Sequence, residues 1–168
     1  AALLSSTLAL SLLRESAPPT QSFVLSPFSL GSALAVLHDG AGGATQSELT
    51  QLLLKGCTAD DIAAHYSTLT AGLKSVSNGV TVNTANRVFV GDNFNLLPAY
   101  KTHVQQKYGA DVEKVAFSKK EEAAKTINTF IEKETKDKIK NMINADSIDE
   151  NTAAMLVNAV YFLGNWKN

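Results

Sequence analysis

The side chains that could do chemistry are few, and their spacing works against it. The run Gly40-Ala41-Gly42-Gly43-Ala44-Thr45 has the small-residue content of a phosphate-cradling loop. Such loops follow a strand and open a helix, and nucleotide hydrolases add Gly-Lys-Ser/Thr. Here the glycines follow a helical pattern and no lysine is present, so they read as a helix-to-helix connection. His38, His65 and His103 are scattered along the chain and read as surface or half-buried structural residues, not as metal ligands. No Gly-x-Ser-x-Gly elbow occurs. Cys57 lies in a Gly-Cys-Thr stretch with no histidine close in sequence and reads as an inert loop thiol. Asp60-Asp61 suits a helix start better than paired-carboxylate catalysis. Lys119 and Lys120 are balanced by Glu121 and Glu122 and make no polyanion site. The expectation is a protein with no catalytic residue, metal or cofactor, acting by interaction and not as an enzyme.

The elements that would position these residues follow from pattern. Leu4, Leu8 and Leu12 recur every four residues with Leu3 beside them, which predicts an amphipathic core helix in preference to a targeting segment. Val24 and Leu25 suggest a short buried strand. Ser26 to Gly40 reads as a helix capped by Ser26, with Pro27 at its first position and Gly40 as a left-handed stop. Leu30, Ala33, Leu34 and Leu37 would be its apolar stripe. Thr45-Gln46-Ser47-Glu48 has capping-box spacing, which predicts a helix from Gln46 to about Lys55. Thr58 to Asp61 offers another cap, for a helix through about Leu73. Val80 to Val90 alternates as a long strand, with Val82, Thr84, Asn86 and Val88 on one face. A helix from Pro98 to Gly109 and a strand from Val112 to Phe117 follow. Ser118-Lys119-Lys120-Glu121 is a further capping box, leading a helix to about Lys136. Ala153 to Phe162 is nearly all apolar and reads as a strand buried on both faces. Asn158 in its middle then needs dedicated partners, because an unpaired buried amide costs about 1–3 kcal/mol. Runs of helices broken by long strands that do not alternate regularly with them predict an α+β fold.

Composition agrees with one folded unit. The 168 residues are 45% hydrophobic and 18% charged, enough for a sizeable core. The formal net charge of -1 has both signs mixed, which gives no case for nucleic acid or an anionic membrane. One cysteine excludes an internal disulfide framework. With no Asn-x-Ser/Thr sequon, it tilts the expectation toward a reducing, cytoplasmic setting over an extracellular one.

Four stretches, in order, resemble the serpin family. They are SFVLSPFSLGSALAVLHDGAGGAT (22–45), TANRVFV (84–90) with the following KYGADVEKVAF, INTFIEKETKDKI (127–139) and LVNAVYFLGNW (156–166). Departures are Ser22 for the usual Asn, Phe130 for Trp, Asp137 for Gly and Leu163 for Lys, the last two altering surface turns. The resemblance implies an α+β, serpin-like fold of helices on a large central sheet. Residues 1–168 would be the N-terminal portion of a single domain, without the reactive loop and C-terminal strands. Ser26, Ser29 and Asn158 would form the hydrogen-bonded shutter under the sheet, and Trp166 would stand at the breach. Thr152, Ala154, Leu156, Asn158 and Val160 would line the strand beside which a cleaved reactive loop inserts. The implied activity is inhibition of a serine or cysteine protease, with a storage, carrier or chaperone serpin as the alternative. Heparin control is not expected, because Thr58–Leu73 carries no Lys or Arg. The missing C-terminal part, or a swapped partner, is the other implied associate.

Overall fold

The computed structural model describes residues 2–16, 22–54, 58–74 and 79–166. The chain runs α1 (Ala2–Ser16), α2 (Pro27–Gly40), α3 (Gly43–Leu54), α4 (Ala59–Lys74), β1 (Val80–Gly91), α5 (Pro98–Tyr108), β2 (Asp111–Val115), α6 (Lys120–Glu134), a 3-10 turn (Ala145–Ser147) and β3 (Ala154–Gly164). The fold is α+β. The strands form a mixed sheet in the order β2-β1-β3, with β1 parallel to β2 and antiparallel to β3. Strict alternation along β1 feeds two cores. Val88 and Val90 face a layer containing Ala35 and Val36 of α2, Ile62 of α4 and Val104 of α5. Phe89 faces the other way, into a core with Phe117, Ile127, Phe130 and Ile148 under α6.

Local chemistry explains most boundaries. Ser26 caps α2 by accepting from the Ser29 N–H at 3.3 Å, and Pro27 opens the helix. Thr58 and Asp61 cap each other at the start of α4. Asp61 Oδ2 accepts from the Thr58 backbone N–H at 2.8 Å, and Thr58 Oγ1 accepts from the Asp61 N–H at 3.3 Å. Gly109, at φ 62°, closes α5 in the left-handed conformation.

Several expectations need correction. Residues 22–26 form no strand, and Val24 is 99% exposed. Leu30 and Leu37 of α2 are exposed, while Gly31, Ser32, Ala33, Ala35, Val36 and His38 are buried. Of the expected stripe, Ala33 is buried and Leu34 packs against the core, while the helix, covered by several neighbours, otherwise packs through its small residues. Gly40 is not a left-handed stop. A Cβ there would lie 2.8 Å from the Tyr100 ring, so close approach of α5 requires the glycine. The left-handed residue is Gly43 (φ 59°), and α3 starts there, three residues before the expected Gln46. Ser118 caps nothing; Lys119 is the N-cap of α6, with no side-chain bond. In α1, Leu8 is buried and Leu12 half-buried. Lys55, Cys57 and the side chains of Leu3 and Leu4 lie outside the described residues. Among the described residues no helix is long and apolar enough to cross a membrane.

Candidate functional site: the open strand and the amides beneath the sheet

β3 pairs with β1 from Ala154 to Gly164, and its other side meets no strand among the described residues. That is why the expectation of burial on both faces fails. Only Val157 and Ala159 of β3 are buried, since half of the strand's surroundings is open. The segment Ala154–Gly164 carries no charged residue and no proline. Among the described residues that edge is therefore a row of backbone donors and acceptors with no strand partner, and it lacks the charges that usually discourage strand addition.

Register decides what lies under this strand. Asn86 stands opposite Asn158, and Val88 opposite Leu156, so both asparagines face the layer of α2. The Asn158 amide donates Nδ2–H to Asn86 Oδ1. Asn86, 7% exposed, donates Nδ2–H to Ser32 Oγ on α2 at 2.9 Å. Asn158 thus has the partner its position requires. Its own Oδ1 is buried without one among the described residues. Ser26 Oγ accepts from the Ser29 backbone N–H in the cap of α2, and no described hydrogen bond joins either side chain to Asn158. Ser32 and Asn86 escaped the sequence reading. The signal was present in both cases. Asn86 interrupts the apolar alternation of a strand, and Ser32 falls one helical turn after Ser29.

The other expected residues fall as follows. Ala154, Leu156, Asn158 and Val160 share one face of β3. Thr152 precedes the strand in a turn, its N–H donating to Asp149 O at 3.0 Å. Trp166 lies just beyond β3 and is 98% exposed. A cavity of about 620 Å³ opens under the start of β3, lined by Val36, Asp39, Tyr100, Ala154 and Leu156 among others.

On the opposite face, Arg87 pins α6 to the sheet. Its guanidinium lies 4.3 Å from the centroid of the Phe130 ring, and it donates to Glu113 at 2.7 Å and to Asp111 at 3.2 Å. A second polar cluster sits at the end of α2. The carboxylate of Asp39 faces His103 Nε2 at 2.7 Å, accepts from the Tyr108 hydroxyl at 2.9 Å and faces His38 Nδ1 at 3.3 Å. Burial raises the Tyr108 and Tyr100 hydroxyls above the ordinary tyrosine value of 10, and the nearby Asp39 charge adds to it. His38 and His103, far apart in sequence, therefore meet at Asp39, and His38 is buried. Among the described residues, no group of three or more His, Cys, Asp or Glu side chains is arranged to hold a metal.

Residues 4–168 match the family model described as Serpin (serine protease inhibitor). The chain belongs to the serpin family. This serpin is 32% identical over 151 residues to the leukocyte elastase inhibitor of Homo sapiens and 37% identical over 151 residues to antichymotrypsin-2 of Bombyx mori. Each match covers 89% of the chain and 40% of the relative, so the chain spans about two fifths of the length of these curated relatives. Among solved structures it is similar to serpin-12 of Manduca sexta, with a TM-score of 0.84 and 33% identity. That match covers 95% of this chain and 44% of the other. The helices and the three-stranded sheet described above are those of a partial serpin fold.

Proposed function

We propose that residues 1–168 are the N-terminal portion of an inhibitory serpin domain, acting on serine or cysteine proteases and carrying out no catalysis of its own. The observation that carries this reading is the uncharged, proline-free edge of β3, which meets no strand among the described residues. Reactive-loop insertion needs a strand able to accept a new neighbour along its length. The names of the relatives, an elastase inhibitor and an antichymotrypsin, support the target class. In this reading Ser26, Ser29 and Asn158 belong to the shutter, joined by Ser32 and Asn86. Trp166 marks the breach where the sheet first parts, and Thr152, Ala154, Leu156, Asn158 and Val160 lie along the path of the inserted loop.

The test is to incubate the full-length protein with a panel of serine and cysteine proteases and examine the products on denaturing gels. A complex surviving SDS with at least one protease is the expected result. Cleavage of the protein by every protease, with no such complex, overturns the inhibitory reading in favour of a carrier, storage or chaperone serpin. Heparin is expected to leave the inhibition rate unchanged, since Thr58–Leu73 carries no Lys or Arg.

A further inference from the structure

The cavity under the start of β3 has a chemistry that protease inhibition leaves unused. Its volume of about 620 Å³ falls within the ~300–1,000 Å³ typical of small-molecule sites. Val36 of α2, Val88 of β1, Leu96 before α5 and Leu156 of β3 give it apolar walls. Among the residues that line it, Asp39 alone carries a charge. That side chain is only 9% exposed. It faces two histidine rings, and no lysine or arginine pairs with it among the described residues.

The two oxygens of this carboxylate are unequally occupied. Oδ2 accepts from the Tyr108 hydroxyl at 2.9 Å and faces His103 Nε2 at 2.7 Å. Oδ1 has one contact, His38 Nδ1 at 3.3 Å, longer than the ~2.7–3.2 Å of an ordinary N–H···O bond. A carboxylate has about four acceptor positions, so Oδ1 has room for a further donor. Tyr100 lines the cavity as well, and burial, with the nearby Asp39 charge adding to it, raises its hydroxyl. That hydroxyl gives its proton to the Val36 carbonyl at 2.8 Å, which leaves its oxygen able to accept. Asn95, in contrast, spends its side-chain oxygen on Lys114 Nζ at 3.2 Å. The polar side of the cavity near Asp39 thus offers acceptors and negative charge, and the rest offers hydrocarbon.

We propose that this cavity binds an organic amine with an apolar body, its ammonium group on Asp39 and its hydrocarbon against Val36, Val88, Leu96 and Leu156. An ammonium group brings donors and a positive charge to a buried anion, and charge-assisted bonds are the strong ones. A carboxylate ligand would bring a like charge to the same place. A metal ion is poorly served by one carboxylate between apolar walls, since hard cations need several oxygen ligands. Among the described residues no group of three or more metal-binding side chains is present to supply them. Amine binding requires no protease and stands whether or not the protein is inhibitory.

The test is calorimetric titration of the full-length protein at about pH 7, where alkylamines are charged. The probes are diphenylpropylamine and the alcohol and carboxylate of the same skeleton. The amine is expected to bind about 10–100-fold more tightly than the alcohol, and the carboxylate more weakly than either. Equal affinity for amine and alcohol overturns the proposal. So does no binding by any of the three, which would mean that other parts of the full-length chain fill the cavity. Asp39→Asn is expected to bring the amine down to the affinity of the alcohol and to leave the alcohol unchanged. An amine preference that survives in Asp39→Asn places the site elsewhere and overturns the assignment. Leu97→Ala provides a second variant, since Leu97 lines the cavity yet is 73% exposed and its loss spares the core. It should weaken amine and alcohol by a common factor of about three or more, and unchanged affinities overturn the location. Should Asp39→Asn fail to fold, the three probes on wild type and Leu97→Ala decide.

Discussion

Asn86→Ala is expected to lower stability by about 2–3 kcal/mol, because it strips the Asn158 amide and the Ser32 hydroxyl of their partner in a buried setting. Ser32→Ala should cost about 1 kcal/mol, since it removes only the far end of the chain of bonds. Denaturant midpoints of the full-length variants measure both, and equal effects would mean that the three residues do not act in series. Asp137 gives the opposite sign. It stands at φ 59°, in the region that disfavours a side chain, at the position where the serpin motif has glycine. Asp137→Gly should therefore raise stability by about 0.5–1 kcal/mol. The need for a partner at Asn158 was legible in the sequence, from one amide within an apolar run. The identity of that partner was not. It depends on the register of β1 against β3, which pairs residues 72 apart in sequence. The backbone strain at Asp137 likewise leaves no mark on composition or periodicity.

At the scale of elements, the helices meet through glycines in ways that separate packing from propensity. A Cβ on Gly31 would fall 1.9 Å from the Tyr66 hydroxyl oxygen of α4, whereas one on Gly42 would meet nothing within 4 Å. Gly31→Ala is expected to destabilise by about 1–3 kcal/mol through forced movement of a buried tyrosine. Gly42→Ala should be neutral or stabilising by up to about 1 kcal/mol. Thermal unfolding of the pair distinguishes the two cases. The N-terminus of α4 should respond to acid. The backbone N–H and the hydroxyl of Thr58 hold the Asp61 carboxyl below the ordinary value of 3.8. A carboxylate depressed in the folded state stabilises above its unfolded value, and that contribution is lost as pH falls through the folded one. Hydrogen exchange at the first turn of α4 is expected to quicken below about pH 3.8 and to be insensitive to pH in Asp61→Asn, after correction for intrinsic rates. This cap was legible because its two residues are three apart. The capping box predicted at Ser118 had the same spacing and failed, since Lys119 supplies the cap position instead. The stripe predicted for α2 held only at Ala33 and Leu34, because periodicity identifies the apolar face of a helix with one neighbour, and α2 has several.

At the largest scale, the described residues form a sheet with a helical layer on each face, and β3 pairs with a strand on one side only among them. Its family was legible from four ordered motifs, because they are the residues that set helix starts and strand cores. The consequences of the open side were legible only in outline, since exposure depends on which neighbours are present. Leu163, exposed at the end of β3 where the family motif has Lys, leaves that side without a deterrent charge. Leu163→Lys is expected to slow concentration-dependent aggregation, read by light scattering, while shifting stability by less than about 0.5 kcal/mol.

The spacing of the strand partners also gives the chain a timetable. Arg87 meets its partner on β2 only 24 residues later, and the Asn86 bond to Ser32 joins residues already made, whereas Asn158 follows Asn86 by 72. At about 5–20 residues per second, a chain emerging from the ribosome carries β1 for roughly 4–14 s with its β3 side unfilled. For that interval the twelve residues from Val80 to Gly91 are the exposed edge. A chaperone that acts on this protein during synthesis would find its first substrate there, on β1, before β3 exists to cover it.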